Sequence, residues 1–156
     1  MSSKAEIERK FFVEKLPEFI QEQPSSSILQ GYISGPDDSA EVRLRRKDAY
    51  CLLTVKRGND LLRSEQEVEL TEEQFEQLWP LTEGRRVEKT RYTISWNGVE
   101  IEVDVYHRQL QGLVIAEVEF DSIEQSGEWN PPEWIGCEVT YDKRYKNRYL
   151  AFYGEP

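Results

Sequence analysis

Apolar and charged residues alternate with a period of two through most of this chain, and that period dictates strands rather than helices. In "EIERKFF", Glu6, Glu8 and Lys10 share one side, while Ile7, Arg9 and Phe11 share the other. Glu41, Arg43 and Arg45 oppose Val42 and Leu44, and Lys56 follows Leu52 and Thr54 on one side. Arg63, Glu65, Glu67 and Glu69 fall on one face, and Lys89 and Arg91 oppose Tyr92 and Ile94. Glu100, Glu102 and Asp104 oppose Ile101, Val103 and Val105; Glu117 and Glu119 oppose Val118 and Phe120. The expected strands are Glu6–Val13, Ser27–Ser34, Ala40–Arg46, Tyr50–Lys56, Leu62–Leu70, Arg86–Trp96, Val99–His107 and Leu113–Asp121. These are about eight segments at mostly hairpin spacing, with Asn97-Gly98 the clearest tight turn.

An antiparallel sheet with one wet face gives such alternation by itself, and opposite charges across strands help pairing slightly. A solvated face, however, mixes in Thr, Ser, Gln and Asn. Here the polar face is almost wholly Glu, Asp, Arg and Lys, and its arginines suit two-pronged contact with oxyanions. About eight strands can also close into a barrel, which removes the exposed edges. The charges would then face a wet lumen, and the apolar faces would carry a few helices outside. Both signs of charge in one lumen are costly unless something satisfies them. A polyanion on the Lys/Arg set, bridged to the carboxylates by divalent metal, would do so. Hard oxygen ligands favour Mg²⁺ or Mn²⁺ over zinc. The expected fold is therefore mainly β: a closed eight-stranded antiparallel barrel with a charged lumen.

The helices are few. Thr71 with Gln74 forms a capping-box pattern ahead of Phe75, Leu78 and Trp79, and Glu14–Gln21 suits a short helical turn. Asp142–Phe152 reads as a terminal helix with Tyr145, Tyr149 and Phe152 on one stripe. At 156 residues the chain suits one domain spanning 1–156. A net charge of -10 argues against binding to nucleic acid or anionic membrane. Cys51 and Cys137 fit no zinc or disulfide pattern. No apolar run has membrane-spanning length and no signal peptide is evident, so a cytoplasmic protein is expected. His107, the single histidine, ends an alternating strand and is not expected to be catalytic.

"EIERKF" resembles the ExExK signature of the CYTH-domain, or triphosphate tunnel metalloenzyme, superfamily. The likeness continues through "QGY" (30–32), "EVRLRRK" (41–47), "LTVKRG" (53–58), "SEQEVEL" (64–70) and "EGRRVEKTRY" (83–92). It then runs through "EVDVY" (102–106), "AEVEF" (116–120) and "DKRYKN" (142–147). The short bacterial inorganic tripolyphosphatases are the most similar branch. The resemblance implies a tunnel, a small-molecule triphosphate substrate and a divalent cation. It implies phosphate binding by Lys10, Arg43, Arg45, Lys56, Lys89 and Arg91, with Lys143 closing one mouth. It implies metal binding by Glu6, Glu8, Glu65, Glu67, Asp104, Glu117 and Glu119. Arg63, Glu41, Glu69 and Glu102 are left as lumen support or rim.

The expected reaction is hydrolysis of tripolyphosphate to pyrophosphate and phosphate. Glu6 and Glu8 would act in catalysis through the metal; the attacking water would be activated either by a second metal or by Lys89, whose pKa neighbouring cations depress and bound phosphate raises again. A class IV type adenylyl cyclase, a thiamine or RNA triphosphatase, and a non-catalytic polyphosphate-binding module are the alternatives. A monomer or a homodimer is compatible with the sequence.

Overall fold

The computed structural model describes residues 7–58 and 63–156. The period-two segments form strands β1 (Ile7–Phe12), β2 (Ser25–Tyr32), β3 (Ala40–Lys47) and β4 (Tyr50–Gly58). They continue as β5 (Arg63–Leu70), β6 (Arg86–Trp96), β7 (Val99–Tyr106) and β8 (Val114–Phe120). Glu6 and Leu62, at the starts of two expected strands, lie outside the described residues. The strands make one antiparallel sheet in the order β1-β8-β7-β6-β2-β3-β4-β5. Between β6 and β7, Asn97 (φ 47°) and Gly98 (φ 79°) both take the left-handed conformation that a two-residue hairpin turn requires.

Residues directly opposed in an antiparallel pair point to the same side. Lys10 lies opposite Glu117, Arg91 opposite Asp104, Arg43 opposite Tyr32, Arg45 opposite Gln30, and Lys56 opposite Glu41 and Glu65. The register therefore gathers the charged positions on one face. That face is concave: Glu8 of β1 and Arg63 of β5, at the two ends of the ladder, line the same cavity.

Among the described residues β1 and β5 do not pair, so hydrogen bonds between them do not close the tunnel. The outer edge of β1 is taken by residues 136–140. Gly136 N donates to Phe12 O (2.7 Å), Phe12 N to Cys137 O (2.8 Å) and Val139 N to Lys10 O (2.7 Å). Arg9, on the outward face, clamps this segment through Nε and Nη2 to Glu138 (3.0 and 2.8 Å) and Nη1 to Ser126 O (2.9 Å). Its position opposite the lumen charges is thus explained by edge covering.

On the convex side the apolar faces are covered by one helix and by the segment around a second, largely exposed helix. Helix α1 (Glu72–Leu78) starts from the expected reciprocal Thr71–Gln74 cap, worth about 1 kcal/mol. It packs Phe75 against Leu44 and Cys51. Helix α2 (Ile123–Glu128) is short, and Trp129 after it packs on Phe11 and Phe120. The Glu14–Gln21 turn appears as a 3-10 turn over Glu18–Glu22.

The expected C-terminal helix is divided. A 3-10 turn covers Lys143–Tyr145, Lys146 is extended, and α3 spans Asn147–Tyr153. α3 also differs in its location, because it packs on the inner face rather than outside. Its Leu150 and Ala151 lie against Tyr32, Val87, Tyr106 and Ile115. All four share the parity of the lumen cations. At this end the inward positions are apolar or aromatic, so burial draws the helix over them, at roughly 1.5–3 kcal/mol for a residue such as Leu150. The result is a lumen plugged at one end.

Candidate active site in the lumen

The cavity, of about 580 Å³, is lined from β1 through β6 and β8 and from the C-terminal segment. Three walls have different character.

On β6 and β7, charges are paired and buried. Lys89 is 1% exposed; its Nζ donates to Asp104 Oδ2 (2.8 Å) and lies 3.4 Å from Asn147 Oδ1. Arg91 donates through Nε to Asp104 Oδ1 (2.7 Å) and through Nη2 to Oδ2 (3.0 Å), and its Nη1 is 2.7 Å from Glu102. Burial would raise the Asp104 pKa, but the Lys89 charge and the Arg91 hydrogen bonds bring it down to about 2. Burial pulls Lys89 below its ordinary value, against the attraction of Asp104. For Arg91 burial is the opposing influence, and its contacts with Asp104 hold it above its ordinary value. Asp104 thus has the geometry of an anchor for two cations, not of an open metal ligand. The expectation of metal binding does not fit it, because both of its oxygens accept charge-assisted bonds.

On β3 the cations stand differently. Arg43 and Arg45 each leave a buried Nε–H without an acceptor. Burial lowers the Arg45 pKa, and the nearby Arg91 and Arg43 charges add to it. Gln30 and Tyr32, which the sequence reading missed as lining residues, stand beside them, with Gln30 Nε2 donating to Tyr32 Oη (2.9 Å). Their signal was the "QGY" string. The side chain that Gly31 lacks would meet Thr82 at 2.6 Å and Trp79 at 2.9 Å, so only glycine lets β2 approach that turn.

On β1 and β8, Lys10 and Glu8 line the cavity with Glu117. Burial opposes ionisation of Glu117, while hydrogen bonding with Glu8 and the Lys10 charge carry its pKa below the ordinary carboxylate range. Two adjacent carboxylates with a free lumen beside them fit a hard divalent cation. Among the described residues no three Asp, Glu, His or Cys side chains gather into a site by themselves, so the pair would need substrate or solvent oxygens. Glu6 lies outside the described residues. Glu119, Glu65 and Glu67 share the inward parity but are exposed and do not line the cavity.

Lys56 and Arg63 line the cavity as expected from parity. Lys143 does not. It turns to a neighbouring hollow with Tyr149, Phe152 and Tyr153, while Lys146 and Arg148 of the same segment reach the lumen. The helix starting at Asn147 sets which of these cations turns inward, and "DKRYKN" carries no sign of that start. His107 is engaged structurally, its Nε2 2.8 Å from Thr90 Oγ1.

A family model for the CYTH domain matches residues 4–144. The chain is 46% identical over 147 residues to an inorganic triphosphatase of Nitrosomonas europaea, spanning 94% of this chain and 96% of that protein. It is 39% identical over 125 residues to an inorganic triphosphatase of Acetivibrio thermocellus, covering 78% of each. A crystal structure of an inorganic triphosphatase, 42% identical, superposes with a TM-score of 0.86 over 99% of both chains. With the family model spanning residues 4–144 and a relative 46% identical across 94% of this sequence, the chain belongs to the CYTH family.

Proposed function

We propose that this chain is a metal-dependent triphosphatase that hydrolyses inorganic tripolyphosphate to pyrophosphate and phosphate within the lumen. The observation that carries the reading is the pair of buried, acceptor-less Nε–H groups of Arg43 and Arg45. Leaving such donors unmet is costly, and phosphate oxygens are the acceptors their fork geometry suits. Lys10, Lys56 and Arg63 converge on the same space. A short polyanion fits this lining better than an apolar ligand does. The two relatives named as inorganic triphosphatases support the substrate.

Glu8 and Glu117, with Glu6, would hold the cation, Mg²⁺ or Mn²⁺. Such an ion supplies charge neutralisation for phosphate oxygens and Lewis acidity. The arginines spread the charge that develops on the transferring phosphoryl group, the main protein contribution to such reactions. Lys89 is the base: it lines the lumen, and in its neutral form its nitrogen carries the lone pair that a water proton needs. It takes a proton from water as the water oxygen bonds to the terminal phosphorus. The bridging P–O bond breaks and pyrophosphate leaves. Asp104 holds Lys89 and Arg91 in place for this step.

The hollow shared by Lys146, Arg148, Tyr149 and Tyr153 beside the lumen favours a second reading, an organic triphosphate whose ring rests there. Incubation with Mg²⁺ or Mn²⁺ and either tripolyphosphate or ATP separates the two. Phosphate release from tripolyphosphate at far higher kcat/KM is expected. Preferential use of ATP, or cyclic AMP with pyrophosphate, would overturn the assignment. Near-normal turnover in both Lys89→Ala and Lys89→Arg would remove Lys89 as the base.

A further inference from the structure

We infer that Asn147, the first residue of α3, is a positioning residue that aims the Lys89 amine into the lumen. The inference rests on the hydrolytic role of Lys89 proposed above. Beyond its bond to Cε the Lys89 nitrogen has three tetrahedral directions, so two acceptors on the protein side fix where the third points, whether it carries a proton or the lone pair. Lys89 has those two acceptors: Asp104 Oδ2 at 2.8 Å and Asn147 Oδ1 at 3.4 Å. Its remaining direction opens on the cavity that it lines.

Asn147 Oδ1 is itself fixed. Tyr106 Oη donates to it at 2.7 Å, and the Tyr106 ring lies 5.4 Å from Lys89 Nζ. Tyr106 is directly opposite Lys89 in the β6–β7 ladder and is buried. Its hydroxyl has one proton to give, and Asn147 takes it. The amide oxygen therefore receives from both Tyr106 and Lys89. An aspartate there keeps the acceptor, whereas a leucine of similar size removes it.

The location of α3 on the inner face makes this contact possible. A helix packed outside the sheet could not reach a lumen lysine. Asn147 is flanked by Lys146 and Arg148, both of which line the cavity, so a single turn brings two cations to the lumen and an amide to the base.

The test compares Asn147→Leu, Asn147→Asp and Tyr106→Phe in the full chain, measuring kcat and KM for tripolyphosphate with saturating Mg²⁺, and Tm. Asn147→Leu is expected to lower kcat about 10- to 100-fold with KM within about threefold, because aim is lost while the phosphate clamp remains. Asn147→Asp is expected to restore much of that kcat. The double variant Tyr106→Phe with Asn147→Leu should be less impaired than the product of the single effects, since both act through one oxygen. Wild-type kcat in a folded Asn147→Leu would overturn the positioning role, as would a loss confined to KM or Tm. Should Asn147→Leu not fold, Asn147→Ser with the same kcat and KM readout decides the matter. Absence of tripolyphosphate turnover in the wild-type protein would instead defeat the hydrolytic reading itself.

Discussion

The β6–β7 wall and the β3 wall both withdraw cationic groups from water, yet they solve the burial problem in opposite ways. Lys89 and Arg91 are satisfied by Asp104 and Glu102 in the protein. Arg43 and Arg45 keep buried Nε–H groups without acceptors. The first arrangement fixes positions before any ligand arrives. The second stores unmet hydrogen-bonding capacity that a phosphate can take up. A binding site for a mobile polyanion needs the second, and the placement of a base needs the first.

Breaking the paired wall should cost the most stability. Asp104→Ala leaves Lys89 with only the Asn147 amide and Arg91 with only Glu102, and is expected to lose about 3–5 kcal/mol in urea unfolding. Arginine removal should do the reverse on the other wall. Arg45→Ala is expected to cut kcat/KM for tripolyphosphate by about 10²–10³ while Tm stays level or rises. A large Tm loss there would erase the contrast.

Acid sharpens it further. The folded-state pKa of Asp104, about 2, lies below its ordinary value of 3.8, so its contribution to stability is full above about pH 4. It declines as pH falls through 2, because the unfolded chain takes up the proton first. Thermal unfolding between pH 5 and pH 2 should show this decline, and Asp104→Asn should flatten it. The smallest effect is expected at Lys143, which faces away from the lumen. Lys143→Ala should change kcat/KM by no more than about twofold, with Lys146→Ala the more harmful of the two.

The strand set was legible because one face of each strand must be buried and period two leaves no other choice. Inward charge was legible for the same reason, and the register confirms it for Lys10, Arg43, Arg45, Lys56, Lys89, Arg91 and Glu117. Parity alone could not tell which charges pair with each other. Asp104 and Glu117 look alike as alternating acids, but only Asp104 lies opposite Arg91. Parity also says nothing about depth along a strand, which is why Glu65, Glu67 and Glu119 face the correct way yet stay exposed. The inward turn of α3 depends on Tyr32, Val87, Tyr106 and Ile115 meeting at one end, and those residues come from four different strands.

The docking of residues 136–140 along β1 bears on how the molecule is assembled during synthesis. Lys10 N binds Thr140 Oγ1 across 130 positions, and β1 pairs with β8, which comes late in the chain. A nascent chain therefore holds its first strand without either neighbour until nearly the whole sequence has left the ribosome. Contacts of such long range close slowly.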